Sequence, residues 1–240
     1  MQLNGKTALV TGGTDGIGAE LIRQLRAKGV TVITQGRNAE RVTATRAAGF
    51  EVIAADLSTP EGVKTLIGGV AGRTIDILIN NAGAGVDHDF REEAPDPFAA
   101  DSTIFLNLDA PIHLICALMP MLQSRPEAMI VNVTSGLAIA PRAGGPVYCA
   151  TKAGLRSYTQ ALRAQLKGTN IHVLEALPPV VETKMTAGRG SRKMPAAECA
   201  RQFVTAMESG AAEANVGMVK LLQVVHSISP ALARRIMLKF

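Results

Sequence analysis

The chain has 240 residues, a length that one large α/β domain can take undivided. Hydrophobic residues make up 47% and charged residues only 19%, ample for a substantial core. Aromatic residues are scarce at 3%, with no Trp, which argues against a nucleic-acid surface built on stacking, and the net charge of +5 reads as modest and spread out.

From the first residues, short β-branched runs alternate with longer helical patterns, which predicts βαβ units and a parallel sheet. Thr7 to Val10 reads as the first strand and Gly16 to Ala27 as the helix after it. Thr31 to Thr34, Glu51 to Ala54 and Ile75 to Asn80 follow as strands two to four. The motif Ser58-Thr59-Pro60-Glu61, a cap and a first-turn proline, opens a helix from Pro60 to Val70. Ala84 to Asp101, with Pro95 and Pro97, shows no clear period and reads as a loop with a broken helix. Asp109 to Gln123 and Pro146 to Leu166 are two long central helices, and Met129 to Val133 and Ile171 to Leu177 are strands five and six. The strands are near-continuously apolar, as strands covered on both faces are. Lys184 to Met194 is rich in Gly, Lys and Arg and reads as a mobile loop. Residues 216–240 read as a C-terminal strand and helix. With no internal repeat or linker, 1–240 is one domain.

Cys116, Cys149 and Cys199 are widely spaced and form no CxxC or His/Cys ligand pattern, which implies reduced thiols in a cytoplasmic protein and no metal site. Met1 to Lys6 meets a strand at once and leaves no room for a signal peptide. The longest apolar run, Ile112 to Leu122, is too short to span a bilayer. His88, His113, His172 and His226 match no ligand spacing, and Tyr158 reads as structural.

Two features carry the chemistry. Thr11-Gly12-Gly13-Thr14-Asp15-Gly16-Ile17-Gly18 stands directly after a strand and before a helix. Its glycines let the backbone turn tightly against a dinucleotide pyrophosphate, and the helix N-terminus offers unpaired N–H groups. Alone, a three-glycine match is weak in a chain with 23 Gly. Far downstream, Tyr148 and Lys152 lie four residues apart, on one face of a helix. A phenol and an ammonium so placed form a proton-handling pair. A lone Tyr-xxx-Lys is most often an accident of an amphipathic helix; its conjunction with the turn points to a nicotinamide-dependent oxidoreductase.

The ordered set resembles the short-chain dehydrogenase/reductase family over roughly residues 3–185: the TGxxxGxG turn, Asp56, Asn80-Asn81-Ala82-Gly83, Asn107, Ser135, Tyr148-xxx-Lys152, and Pro178 to Thr183. The resemblance implies a Rossmann-like doubly wound parallel sheet of about seven strands, with helices on both faces. It implies that Gly12, Thr14, Asp15, Gly16, Ile17, Gly18, Ala82, Gly83 and Pro178 meet the cofactor, that Asp56 and Leu57 contact the adenine, and that Asn81 stabilises the central strand near the adenosine ribose. Val181 and Thr183 would meet the nicotinamide carboxamide. Ser135 would polarise the substrate oxygen, Lys152 would lower the phenol pKa and bind the nicotinamide ribose beside Tyr148, and Asn107 would hold a relay water. Pro179 departs from the family's glycine and removes a backbone donor there.

Cofactor choice turns on the end of strand two. An acidic residue there would accept both ribose hydroxyls and repel a 2′-phosphate. Gly36 stands at that position and Arg37 supplies a guanidinium suited to phosphate, which favours NADP(H) over NAD(H). Asp15 dissents, because family members that use NADP often carry a basic residue there.

The chain therefore reads as an NADPH-dependent carbonyl reductase or alcohol dehydrogenase acting on a ketone, aldehyde or 3-oxo substrate. A cofactor-sensing regulator without turnover, and a membrane-surface protein using the basic apolar tail Lys220 to Phe240, are the alternatives. Members of the family commonly pair through the two long central helices, which implies a homodimer or homotetramer. The loop 184–194 reads as a substrate lid hinged at Gly188 and Gly190, with four basic residues at its entrance.

Overall fold

The computed structural model describes residues 1–240 apart from 86, 88, 92–95, 189–192 and 240. Its strands are β1 (Thr7–Val10), β2 (Thr31–Gly36), β3 (Glu51–Ala54), β4 (Ile77–Asn80), β5 (Ala128–Val133), β6 (Ile171–Leu177) and β7 (Glu213–Asn215). They form one parallel sheet in the order β3-β2-β1-β4-β5-β6-β7. The chain winds outward through β2 and β3, then returns to the far side of β1 as β4. That reversal opens a crevice at the carboxyl ends of the strands, where doubly wound sheets bind ligands.

Side chains alternate across the sheet, so each strand feeds two cores. Ala8 and Val10 of β1 join one core while Leu9 joins the other. The first core takes Leu21, Ile22 and Leu25 of α1 (Gly16–Ala27) and Phe203, Val204 and Met207 of α7 (Ala196–Ser209). The second takes Val63 and Leu66 of α3 (Pro60–Gly69), Leu114 and Leu118 of α5 (Ala110–Gln123) and Leu162 of α6 (Pro146–Gln165). Each such side chain contributes about 1.5–3 kcal/mol on full burial.

Two helices escape the sequence reading. In α2 (Ala39–Ala47), capped by Asn38 accepting from the Arg41 N–H at 3.0 Å, Val42 is the single buried residue, so no apolar stripe shows. In α7 the start carries no capping side chain, and Cys199, Ala200 and Ala206 make up half the buried face.

Two expectations are corrected. The helix expected to be broken within 84–101 begins at Pro97, where the Asp96 carboxylate accepts the Phe98 N–H at 3.0 Å. This helix, α4 (Pro97–Ile104), continues through a π-helical turn, Phe105–Asp109, into α5. The whole run, Pro97–Gln123, is 27 residues and passes a length-and-apolarity test for crossing a membrane. Here Leu114, Ile115, Leu118 and Leu122 are buried in the second core, as in an internal helix. Second, no strand falls in the described part of 216–240: β7 precedes it, and α8 (Val219–Ile228) and α9 (Pro230–Met237) follow. The ends of the loop 184–194 are tied together: the Glu182 N–H donates to the Met194 carbonyl at 2.8 Å and the Met194 N–H to the Val180 carbonyl at 3.0 Å. Arg189, Gly190 and Arg192 of that loop, like His88 and Pro95, lie outside the described residues.

Candidate active site

The glycine turn is held from three sides. Gly12 has φ +67°, which an L side chain rarely adopts, and its absent Cβ would lie 2.9 Å from the Ala82 Cα. At Gly18 a Cβ would lie 2.1 Å from the Gly12 carbonyl oxygen, so helix α1 starts against the turn only because the residue is glycine. The Asn81 side chain donates to the carbonyls of Thr11 at 2.9 Å and Gly12 at 3.2 Å. Gln35, not singled out by sequence, accepts the Gly12 N–H at 3.0 Å and donates to Ala55 at 2.5 Å. The backbone is thus shaped before any ligand arrives.

Every cofactor position expected from the sequence lines one cleft of about 500 Å3, and so do Ser135, Tyr148 and Lys152. This volume lies in the usual range for ligand sites. Asn107 does not line it. It sits behind Gly83, fully buried in the π-helical turn, a device that often marks function. Its Oδ1 accepts the Ala84 N–H at 2.9 Å, and its Nδ2 donates to the Ala84 carbonyl at 2.8 Å and Thr151 Oγ1 at 3.1 Å. A Cβ at Gly83 would stand 3.2 Å from Asn107 Oδ1 and 3.5 Å from Lys152 Nζ, so both groups approach one point.

At the catalytic end, β5 delivers Ser135 and α6 delivers Tyr148 and Lys152. Ser135 Oγ accepts the Leu137 N–H at 3.1 Å, leaving its O–H as the group able to donate to a substrate oxygen. Lys152 is 4% exposed; its Nζ donates to the Val133 carbonyl at 2.8 Å and lies 5.9 Å from the centre of the Tyr148 ring. Burial pushes its pKa down to about 8. The neighbouring Thr134 hydroxyl donates to Glu175 at 2.7 Å, and Arg156, one turn beyond Lys152, donates to the other oxygen of Glu175 at 2.8 Å. Burial raises the Glu175 pKa against the bonds from Thr134 and Arg156. Pro178 accepts the Gly136 N–H at 3.1 Å, so the proline pair replacing the family's Pro-Gly is tied to the turn that carries Ser135.

At the opposite end two arginines stand where the sequence reading saw one. Arg37 Nη1 lies 3.2 Å from Asp56 Oδ2, and Arg41 Nη1 lies 2.7 Å from Asp15 Oδ2. Asp15, the dissenting carboxylate, is therefore neutralised by Arg41, a residue whose role only the unread helix α2 reveals. Asp56 also accepts the Ser58 N–H at 3.0 Å and its hydroxyl at 2.8 Å. Burial works to raise the Asp56 pKa, but the bonds from Ser58 and Arg37 outweigh it and hold the group below the ordinary value. Both ion pairs are solvent-exposed, so opening them costs little. At Gly36 a Cβ would lie 2.5 Å from the Thr14 methyl, so an acidic side chain could not enter beside Thr14 as it stands.

The residues fit a dinucleotide: a glycine cradle, a helix N-terminus and cations at one end, and a proton-handling set at the other. The pattern of one family, described as short chain dehydrogenase, matches residues 6–193. An uncharacterized oxidoreductase of Bacillus subtilis (strain 168), DltE, is 38% identical over 187 residues, covering 76% of this chain and 74% of the relative. A serine 3-dehydrogenase of Rhizobium radiobacter is 33% identical over 192 residues, covering 76% and 75%. Among solved structures, a short chain dehydrogenase from Burkholderia cenocepacia J2315 in complex with NADP superposes with a TM-score of 0.89 at 26% identity, over 99% of each chain.

Proposed function

This chain belongs to the short chain dehydrogenase family, and from that premise we propose that it reduces a ketone, aldehyde or 3-oxo compound with NADPH. That it is an oxidoreductase of CH–OH and C=O groups follows from the family; the cofactor preference, the substrate class and the residue roles are our reading. One observation carries it: Ser135, Tyr148 and Lys152 meet at one end of a cleft whose other end holds Arg37 and Arg41. The Burkholderia cenocepacia relative, solved with NADP, supports the cofactor assignment.

Bound NADPH supplies the hydride. The chain supplies position and a proton. Ser135 O–H donates to the substrate oxygen and draws charge onto it, the work of an oxyanion site. Tyr148 donates its phenolic proton to the oxygen that becomes the alcohol, and the Lys152 ammonium stabilises the phenolate left behind. Asn107 holds the Ala84 backbone and Thr151 beside that lysine, fixing the wall against which the proton path runs. Arg37 and Arg41, whose carboxylate partners are exposed, would hold the cofactor's 2′-phosphate.

We further propose that the protein works in the cytoplasm, where its three unpaired cysteines stay reduced, and that it assembles as a homo-oligomer. The test of the activity is a panel of ketones and aldehydes with NADPH oxidation as readout. On any active substrate, Tyr148→Phe should retain NADPH binding and lose turnover by on the order of 10²–10⁴-fold. Near-normal turnover in Tyr148→Phe would refute the assignment.

A further inference from the structure

The helices α8 and α9 form a hairpin at the end of the chain, and α9 packs chiefly on α8, with Ala233 its buried residue. The outward face is apolar. Met218, Leu221, Val224 and Ile228 are each between 54% and 80% exposed, and their spacing of three, three and four residues sets them on one side of α8. On α9, Leu232 and Ile236, four residues apart, are exposed as well, with Leu238 beyond them. Seven of the twelve exposed large hydrophobic residues among the described residues therefore lie within 218–238.

Charge singles out the same segment. Lys220, Arg234, Arg235 and Lys239 fall within 214–240, with no Asp or Glu among them. The remainder of the chain holds 21 of the 25 basic residues against all 20 acidic ones, so the net charge is not spread out. It is concentrated here. The four cations are exposed, and none enters an ion pair among the described residues. A second copy laid on this face would bring the same cations against themselves, because a two-fold contact is self-complementary. An anionic bilayer complements both properties: aliphatic side chains enter the headgroup boundary while Lys and Arg meet the headgroups.

The hairpin also packs against the turn that carries Ser135. A Cβ at Gly136, next to Ser135, would stand 3.0 Å from Val219 and 3.7 Å from Leu222 on the inner face of α8. Gly217, leading into α8, lies against Pro179, at 3.5 Å from its absent Cβ. We propose that the α8–α9 hairpin is a docking surface for a bilayer bearing anionic headgroups, on which the protein lies with the Ser135 end of its cleft beside the lipid.

Flotation of the full chain with vesicles tests this directly. Phosphatidylcholine vesicles containing phosphatidylglycerol should carry the protein at low salt, and pure phosphatidylcholine vesicles should not. Arg234→Glu combined with Arg235→Glu, and separately Leu221→Ser combined with Val224→Ser, should each abolish flotation. Both should leave NADPH binding and subunit number unchanged, since none of these residues touches the cofactor cleft. Absence of flotation with either vesicle, or flotation indifferent to headgroup charge, would overturn the proposal. A fall in subunit number in either variant would do the same, by assigning the face to a second copy.

Discussion

At the scale of single residues, the cofactor end is built from cations that already hold carboxylates. Arg37→Ala should weaken NADPH binding by about 1–3 kcal/mol, the range for losing a hydrogen bond to a charged group, and leave NADH nearly unchanged. Arg41→Ala should act in the same direction, because it also frees the Asp15 carboxylate now 2.7 Å away. Fluorescence titration of both cofactors measures this, and equal wild-type affinity for the two would sink the preference. Lys152 gives a second prediction, with a sign fixed by linkage. Its pKa falls from the ordinary 10.5 to about 8 in the folded chain, so between those values the unfolded chain holds more protons and stability rises with pH. Below about 8 the cost of burying the ammonium is present in full. Compared with Lys152→Met by urea unfolding, the wild type should therefore gain ground as pH rises from about 8 towards 10.5. A constant difference across that window would count against a buried ammonium.

At the scale of elements, α6 carries the proton-handling pair and is tied to the sheet by Arg156 and Glu175. Glu175 is fully buried on β6 and 2.8 Å from Arg156, which also reaches Glu213 on β7 at 3.3 Å. Arg156→Ala would strand that carboxylate and should destabilise the fold by about 3–5 kcal/mol in chemical denaturation. Glu175→Gln keeps a partner for the Thr134 hydroxyl and should cost less. What the sequence made legible at this scale follows from burial. Buried apolar residues dominate β1 and β6, which are read to the residue although β6 carries His172 and Glu175. Strand β3, at the sheet edge with Glu51 and Ala54 exposed, is read from its β-branched pair Val52-Ile53. Helix α2 presents one buried side chain and α7 half-fills its face with small residues, so neither announces itself. The same limit governs the site: Tyr148, Lys152 and the glycine turn are local patterns, whereas Arg41, Gln35 and Glu175 matter only through partners brought near by the sheet.

At the scale of the whole molecule, the outward sides of the two central helices are short and uncharged. His113, Cys116, Ala117 and Pro120 on α5, and Ala150, Ala153, Ser157 and Gln160 on α6, are exposed without a Lys, Arg, Asp or Glu among them. Small side chains let helices of two copies approach closely, which supports the proposed pairing through α5 and α6. Light scattering at micromolar concentration should show a dimer or tetramer, and Ala117→Arg with Ala153→Arg should reduce the subunit number. A wild-type monomer would refute it. NADPH should also stabilise the assembled fold: at a hundred times its dissociation constant the gain is about 2.7 kcal/mol, read as a rise in Tm.

The contact between Gly36 and Thr14 bears on how this lineage could change its cofactor. Because a Cβ at Gly36 would meet the Thr14 side chain at 2.5 Å, an acidic residue there requires that side chain to shift. If the proposed preference for NADPH holds, a laboratory selection for NADH should recover an acidic residue at Gly36 together with a smaller residue at Thr14 more often than the change at Gly36 alone.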